Sequence, residues 1–168
     1  LPLLVTRGSN NYGPHQYPEK IIPVHITNAI DGLPLPLYND GTAVRDYLYV
    51  EDHCRAIDLV LHQAPSGEVY NIGTGQETSG NEVAEAILEL LGKPKSLIQY
   101  VADRPGHDYR YALDCAKLRG LGWAPRVEFR RGLEKTVLWY QANEGWWRTL
   151  KSSDYWAYYR RNYQPLAT

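Results

Sequence analysis

Short apolar runs alternate with stretches of helical periodicity along the chain, and this alternation predicts a mixed α/β fold. The first run, Leu1 to Thr6, is almost continuously apolar, which is typical of a strand buried in a parallel sheet. Further strands are predicted at 35–38, 45–50, 68–72 and 97–102, and helices at 18–31, 51–63, 79–91, 115–121 and 131–142. No βαβ unit repeats after the first strand, so we expect a cap built over a larger sheet.

Two helices carry clear signals at their ends or faces. Ser79 and Glu82 form the pattern of a capping box, in which the hydroxyl and the carboxylate each accept a backbone N–H at the helix start. The helix at 51–63 is predicted to bury one face, formed by Ala56, Ile57, Val60 and Leu61.

Composition and charge narrow the class of partner. The 168 residues include 18 Lys and Arg against 19 Asp and Glu, and this balance argues against a nucleic-acid-binding surface. No apolar run approaches the ~20 residues that cross a membrane, so no membrane partner is expected. Cys54 and Cys115 lie far apart without a metal or disulfide pattern, which predicts no bound metal and two reduced thiols in a cytoplasmic protein. The chain has no Met and opens directly on a strand, so we expect a piece of a longer protein.

Two arginines are candidate anion ligands, each with a structural alternative. Arg45 begins a predicted strand, where it either pairs with Asp46 at the surface or presents its guanidinium to a diphosphate. Arg104 starts a rigid Arg-Pro-Gly-His turn, which suits a phosphate. Alternatively the turn is structural and Arg104 pairs with Asp103 or Asp108, and the spacing alone leaves both alternatives open.

Two further segments have a binding interpretation and an ordinary one. Pro36 and Tyr38 share a face of a predicted strand, where they form either core packing or an apolar wall for a flat base. Gly73-Thr74-Gly75 resembles the start of a dinucleotide-binding loop, but no third glycine opens a helix at the required spacing. We therefore interpret this segment as a strand-exit turn.

Six motifs follow one another in a specific order. They are Ser9-Asn10-Asn11-Tyr12-Gly13-Pro14, Tyr17-Pro18-Glu19-Lys20 with Ile21-Ile22-Pro23, Arg45 to His53, Tyr70-Asn71-Ile72-Gly73, Ala102 to Asp108, and Leu121 to Pro125. In this order they resemble the dTDP-glucose 4,6-dehydratases, and the resemblance runs to about Trp147. The shorter Asn-x-x-Gly-Pro and Arg-Asp patterns also occur in related epimerases and decarboxylases. The Pro-Glu-Lys and Arg-Pro-Gly-His segments are therefore the ones that favour the dehydratases over these relatives.

The resemblance implies an extended short-chain dehydrogenase/reductase, with a Rossmann half for NAD and a smaller C-terminal half for the nucleotide sugar. The expected fold is the last part of a Rossmann-type parallel sheet plus a mixed α/β substrate-binding domain. Residues 1–16 would end the NAD-binding domain, 17–145 would bind the nucleotide sugar, and 146–168 would form an aromatic, basic tail. The implied activity converts dTDP-glucose to a 4-keto-6-deoxy sugar and water, through internal oxidation and reduction by NAD.

The catalytic residues of that family precede the first motif, so none is expected in this chain, and the resemblance carries over binding alone. Asn10 is expected beside both NAD and the sugar diphosphate. Arg45 and Arg104 are expected on the diphosphate, with His107 there or on the sugar. The base and ribose pocket is expected from Lys20, Ile21, Pro36, Leu37 and Tyr38, and the remaining substrate contacts from Asn81, Asp103, Pro105 and Gly106.

One departure from the family concerns a nucleotide contact. The family's asparagine near the start of the helix at 79–91 aligns with Gly80, so either Asn81 substitutes for it or the contact is lost. The parent protein is expected to be a homodimeric dTDP-glucose 4,6-dehydratase, and this chain alone is expected to be inactive and prone to aggregate. The alternatives are a UDP-sugar epimerase or decarboxylase and a stand-alone nucleotide-binding module.

Overall fold

The computed structural model describes residues 2–103 and 106–163, which form short strands and helices in alternation. The strands are β1 (Val5–Gly8), β2 (Asn10–Tyr12), β3 (Leu35–Tyr38), β4 (Val44–Tyr49), β5 (Val69–Ile72), β6 (Glu77–Ser79), β7 (Ile98–Val101) and β8 (Arg110–Tyr111). The helices are α1 (Ile21–Asp31), α2 (Val50–Gln63), α3 (Gly80–Leu90), α4 (Ala116–Gly120), α5 (Phe129–Ala142), α6 (Glu144–Leu150) and α7 (Ser153–Asn162). A 3₁₀ turn, Lys95–Leu97, precedes β7.

Most of the strand pairs are parallel. β1 pairs with β5 and β3 pairs with β7, both in parallel. The first half of β4 lies between antiparallel β6 and parallel β8, and its second half pairs in parallel with β2. These sheets, with helices packed on them, confirm the mixed α/β fold that the sequence predicts.

The ends of α1 and α3 lie where sequence signals place them. α1 ends at Asp31, and the left-handed backbone of the following Gly32 (φ 69°) lets the Leu33 N–H donate to the Asn28 carbonyl at 2.8 Å. At the start of α3, Ser79 Oγ accepts the Glu82 N–H at 3.2 Å, and the Glu82 carboxylate accepts the Ser79 N–H at 2.7 Å. The predicted capping box is therefore confirmed.

The main hydrophobic core joins α1, α3 and α5 to β3 and β4, and the aromatic tail adds to it. Trp147 of α6 is fully buried there, and its indole N–H donates to the Tyr140 carbonyl at 2.9 Å. Tyr155 of α7 is also buried, and its hydroxyl donates to the Pro18 carbonyl at 3.2 Å. The described part of the tail thus packs on the domain as helices.

The bounds of the opening strand and the buried face of α2 differ from the predictions. The opening strand is Val5–Gly8 rather than Leu1 to Thr6, and its side chains are exposed within the described residues, where it pairs with β5 alone. Leu1 itself lies outside those residues. In α2, Ile57 and Leu61 are 42% and 66% exposed, because the buried stripe has a spacing of four residues and these two positions lie about 100° further round the helix.

Candidate functional site

A cleft of about 300 Å³ lies beside the start of β4, the end of β3 and the first residues of α1. This volume is at the lower end of the range for small-molecule sites. Seven of its lining residues are predicted site residues: Asn10, Lys20, Ile21, Leu37, Tyr38, Arg45 and His107. The structure therefore gathers into one cleft residues that are spread over most of the first two thirds of the chain.

Arg45 lies in the first half of β4 with its guanidinium held by backbone carbonyls. Nη1 donates to the carbonyls of Val44 at 2.7 Å and Tyr109 at 3.2 Å, and Nη2 donates to the carbonyl of Asp108. These bonds tie the strand that carries Arg45 to the segment before β8. They fix the guanidinium at the wall of the cleft, where it can contact an anion.

Asp46 points to the opposite side of β4, so the surface ion pair with Arg45 is not formed. It is fully buried, and its carboxylate accepts the N–H groups of Thr74 at 3.0 Å and Gly75 at 2.9 Å, and the Thr74 hydroxyl at 2.5 Å. The amides of the glycine-containing turn after β5 are therefore taken by a protein carboxylate. This confirms the interpretation of that segment as a strand-exit turn.

His107 connects Arg45 to an acidic residue across the cleft wall. Its Nε2 lies 2.9 Å from Arg45 Nη2, and its Nδ1 lies 2.8 Å from Asp103 Oδ1. Asp103 Oδ2 in turn accepts a hydrogen bond of 2.6 Å from the Asn39 amide. The four side chains form one hydrogen-bonded chain, Asn39–Asp103–His107–Arg45. Asp103 thus reaches the cleft through His107, although it is absent from the lining.

The turn that carries His107 is only partly described. Gly106 is exposed and has a left-handed backbone (φ 73°), which a glycine adopts without strain. The predicted site residues Arg104 and Pro105 lie outside the described residues. Both alternatives for the arginine therefore stay open.

Tyr38 presents its ring to the cleft at the end of β3. The His107 ring meets it edge-on at a centroid distance of 5.3 Å, and the Tyr163 ring stacks on it at 5.6 Å with 28° between the planes. Burial and the neighbouring tyrosines raise the pKa of the Tyr163 phenol, so it is neutral at physiological pH. Tyr163 of the tail therefore adds a second aromatic ring to the lining of the cleft.

Pro36 is buried in β3 and does not line the cleft, so the wall expected from Pro36 and Tyr38 is formed by Tyr38 with Leu37 instead. The Pro36 carbonyl lies 2.9 Å from Nε2 of His25, which is fully buried. Burial lowers the pKa of His25 to about 4, so the neutral ring donates its Nε2 proton to that carbonyl. His25 is thus a structural histidine that ties α1 to β3.

Gly80, and not Asn81, lines the cleft at the start of α3. The Asn81 amide donates to the Asp40 carbonyl at 2.8 Å and accepts from the Tyr100 hydroxyl at 3.2 Å. A Cβ atom on Gly80 would lie 3.0 Å from the Leu37 side chain. Asn81 is therefore committed to the turn after β3, and the cleft has no side chain at position 80.

Several lining residues are absent from the sequence prediction. They are Glu19, Gly41, Ala43, Tyr47, Tyr158 and Tyr163. Glu19 forms an ion pair of 2.9 Å with Lys20, its neighbour in the chain. For Tyr158 and Tyr163 the available signal was the aromatic composition of the tail, which does not show which rings turn toward the cleft.

Within residues 2–103 and 106–163, no cluster of three or more His, Cys, Asp or Glu side chains is arranged to hold a metal ion. None of the helices in the same ranges is both long enough and apolar enough to cross a membrane.

The sequence model of the family described as GDP-mannose 4,6 dehydratase matches residues 1–136. This match covers most of the chain, and it includes β1, the lining of the cleft from Asn10 to His107, and the start of α5. The chain therefore belongs to the GDP-mannose 4,6 dehydratase family.

Within that family the chain is similar to dTDP-glucose 4,6-dehydratases. The enzyme of Streptomyces niveus is 52% identical over 155 residues, which cover 92% of this chain and 46% of that protein. The enzyme of Salmonella typhimurium is 48% identical over 172 residues, covering 98% of this chain and 48% of that protein. The chain thus spans about half the length of the curated relatives it matches.

Solved structures show the same relationship. The dTDP-glucose 4,6-dehydratase of Bacillus anthracis in complex with NAD has a TM-score of 0.86 and 56% identity over 90% of this chain and 48% of that chain. DesIV, the dTDP-glucose 4,6-dehydratase of Streptomyces venezuelae with NAD and TYD bound, has a TM-score of 0.87 and 50% identity over 90% and 47%. The UDP-glucose 4-epimerase of Thermotoga maritima with UDP-glucose reaches 0.79 and 33% identity over 84% and 46%. The fold is therefore that of the C-terminal part of a Rossmann-type extended dehydrogenase/reductase.

Proposed function

We propose that this chain is the nucleotide-sugar-binding part of an NAD-dependent dTDP-glucose 4,6-dehydratase, which converts dTDP-glucose to dTDP-4-keto-6-deoxyglucose and water. The observation that carries the proposal is the cleft itself, in which a fixed guanidinium, Arg45, lies near an aromatic ring, Tyr38. A cation and a flat apolar surface are what a nucleoside diphosphate requires. About half of the chain's residues are identical to those of enzymes with this name.

The site residues expected from the sequence have proposed roles in holding the substrate. Arg45 and His107 hold the diphosphate, together with Arg104. Lys20, Ile21, Leu37 and Tyr38 hold the base and ribose, with Pro36 behind them and Asn10 on the side of the sugar and nicotinamide. The proposed contacts of Asn81 and Asp103 with the substrate are indirect, because their side chains bond other protein groups. The proposed contacts of Pro105 and Gly106 are made by the backbone.

Part of the NAD site is proposed to lie beside Asn10. Three buried polar atoms near it have no hydrogen-bond partner among the described residues, namely Ser9 Oγ, Asn11 Oδ1 and His53 Nδ1. Buried polar groups are normally paired, so these atoms fit a flank that a polar group from outside these residues covers. NAD, when bound there, accepts a hydride from the sugar and later returns it.

The residues of this chain contribute positioning to that reaction rather than proton or hydride transfer. Tyr47 in the cleft is a poor acid, since burial raises its pKa to about 12. In a nucleotide sugar the diphosphate joins the nucleoside to the sugar, so a fixed base and a fixed diphosphate determine where the sugar lies, and its proposed place is beside Asn10. The proposed role of the chain is therefore to hold the substrate with its reacting carbons beside NAD.

The proposal also covers the oligomeric state and the cellular location of the whole protein. We propose a homodimer in the cytoplasm, where nucleotide sugars are made and thiols stay reduced. In this chain Cys54 is exposed and Cys115 is buried, and both are free thiols.

A product assay tests the proposed function. The protein as its gene encodes it is incubated with dTDP-glucose, and formation of the 4-keto-6-deoxy product is followed. We expect product from that protein and none from residues 1–168 alone. Turnover by residues 1–168 alone would contradict the division of roles, and binding without product by the encoded protein would favour a nucleotide-binding module.

A UDP-sugar epimerase or decarboxylase is the second candidate. The likeness to a UDP-glucose 4-epimerase and the missing side chain at Gly80 favour it. Titration of the encoded protein with dTDP and with UDP separates the two candidates. Tighter binding of dTDP supports the dehydratase, and tighter binding of UDP supports the alternative.

A further inference from the structure

The chain Asn39–Asp103–His107–Arg45 determines which nitrogen of His107 carries a proton. A guanidinium has donors only, so Arg45 Nη2 donates across 2.9 Å to Nε2, and Nε2 carries no proton. Nδ1, 2.8 Å from Asp103 Oδ1, then holds the ring proton and donates it to the carboxylate. Without ligand, the structure therefore places a neutral imidazole between a cation and an anion.

Without ligand Nε2 of His107 accepts a hydrogen bond, whereas beside an anion it would have to donate one. As an acceptor, Nε2 repels phosphate oxygens, and it occupies a donor of Arg45 that a diphosphate would otherwise use. When a phosphate oxygen accepts the Nη2 hydrogen that Nε2 accepts in the absence of ligand, Nε2 loses its hydrogen-bond donor and faces the anion. A proton on Nε2 removes this conflict, because it makes His107 a second cationic donor whose charge Asp103 balances from the other side.

We propose that the nucleotide sugar binds together with one proton from solvent, which His107 takes up on Nε2, and that Asp103 is the positioning residue that permits it. This inference deepens the proposed function and rests on it. Asn39 acts one step further out, since its amide holds the second oxygen of Asp103 at 2.6 Å.

The surroundings of the His107 ring support the coupling of its protonation to the binding of the anion. The side chains of His107 and Asp103 are only 13% and 26% exposed, so solvent screens their interaction less than that of a surface pair. Among the described residues, the other titratable or charged groups that face the ring or share its cleft are Arg45 and Tyr47 on β4, Tyr38 on β3, Tyr158 on α7, Tyr163 after α7, Asp108 in the same turn, and Glu19 and Lys20 before α1. Glu19 and Lys20 form an ion pair with each other, so among the described residues the negative charge of the ligand falls mainly on Arg45 and His107. Under the proposed function Arg104 shares that charge.

Calorimetry on the protein as its gene encodes it measures this proton directly. The ligand is dTDP-xylose, whose diphosphate diester gains no proton near neutral pH and whose sugar lacks the C6 group that would be eliminated. The binding enthalpy at about pH 7.5, plotted against the ionisation enthalpy of several buffers, gives the protons taken up. We expect about one proton per bound ligand, and an affinity that weakens up to about tenfold per pH unit as the pH rises.

Two substitutions and one control identify the group that takes up the proton. His107→Gln keeps an acceptor for Arg45 but cannot gain a proton, so uptake and most of the pH dependence should disappear. Asp103→Asn keeps the shape and removes the balancing charge, so uptake should fall. His62→Gln is the matched control, because His62 forms the same kind of pair with Asp58 (3.4 Å) at an exposed site on α2.

The outcomes separate this inference from the proposed function. Binding of the native protein without proton uptake, or equal uptake by His107→Gln, overturns the inference and leaves the proposed function standing. Absence of dTDP-xylose binding at every pH overturns both. Uptake that survives in His62→Gln and is lost in His107→Gln supports the inference.

Discussion

At the scale of single residues, residue types alone marked Arg45, Tyr38 and His107 as binding candidates, and the family resemblance supplied the other predicted residues. The partners of each side chain were not predictable. Arg45 and His107 are 62 positions apart, and spacing in the sequence does not show that their side chains meet. The same holds for Asp46, whose carboxylate could have paired with its neighbour but is buried under the turn at Thr74. Hydrogen bonds between distant segments depend on the tertiary fold, which one-dimensional patterns do not contain.

Gly132 in α5 gives a prediction at this scale. A Cβ atom there would lie 2.2 Å from the Tyr12 hydroxyl, which donates to the Phe129 carbonyl at 3.0 Å. Gly132→Ala should therefore lower the free energy of unfolding by about 1–3 kcal/mol through overpacking. Urea unfolding of the encoded protein measures the change.

The matched control is Gly145→Ala in α6, where no heavy atom lies within 4 Å of the added Cβ. Removing a helical glycine at an open position should raise stability by up to about 1 kcal/mol. Equal urea midpoints for the native protein and Gly132→Ala would show that the contact between α5 and Tyr12 is looser than described.

At the scale of elements, strands and helix ends with strong local signals were predictable, and helix faces were less so. Strand Leu35–Tyr38 has the predicted bounds, and the capping box at Ser79 starts α3 as expected. The buried face of α2 was misjudged at Ile57 and Leu61, because apolar residues on adjacent stripes give similar periodicity and only the packing partner selects one. The aromatic tail gave no periodic signal, so α6 and α7 were not delimited.

The attachment of α7 depends on a buried lysine. Lys151, between α6 and α7, is 8% exposed, and its ammonium donates to Asn28 Oδ1 of α1 at 3.1 Å. The rings of Trp147, Tyr155 and Trp156 lie 5.2–5.5 Å from the ammonium. This cluster holds the helix whose Tyr158 and following Tyr163 line the cleft.

The lysine cluster predicts a pH dependence of stability. Burial lowers the pKa of Lys151 from 10.5 to about 8. Between these values the unfolded chain binds the proton that the folded chain has lost, so this group makes the folded state more stable as the pH rises. Below about pH 8 both states are protonated, and its contribution no longer changes.

Lys151→Met isolates this term, because the side chain keeps its length and loses its titration. The native protein should gain unfolding free energy relative to the variant between about pH 8 and pH 10. The buried tyrosines titrate in both proteins, so their effects cancel in the difference. Parallel curves of unfolding free energy against pH would contradict the prediction.

At the scale of the whole molecule, the chain has two kinds of surface. One is the cleft, whose polar wall is internally bonded. The other is the exposed strand β1, flanked by Leu3 and by Val69 of β5, with one edge unpaired within the described residues. The aggregation expected of residues 1–168 alone stays a prediction that follows from this second surface, and the domain bounds at 17 and 145 also stay predictions.

The central claim is that the cleft holds a nucleoside diphosphate sugar, and a crystal structure of the encoded protein with dTDP-glucose or dTDP-xylose tests it most directly. We predict diphosphate oxygens within hydrogen-bond distance of the Arg45 guanidinium and His107 Nε2, and the thymine ring against Tyr38. A nucleotide bound elsewhere, or bound in the cleft with its diphosphate away from Arg45, would contradict the account.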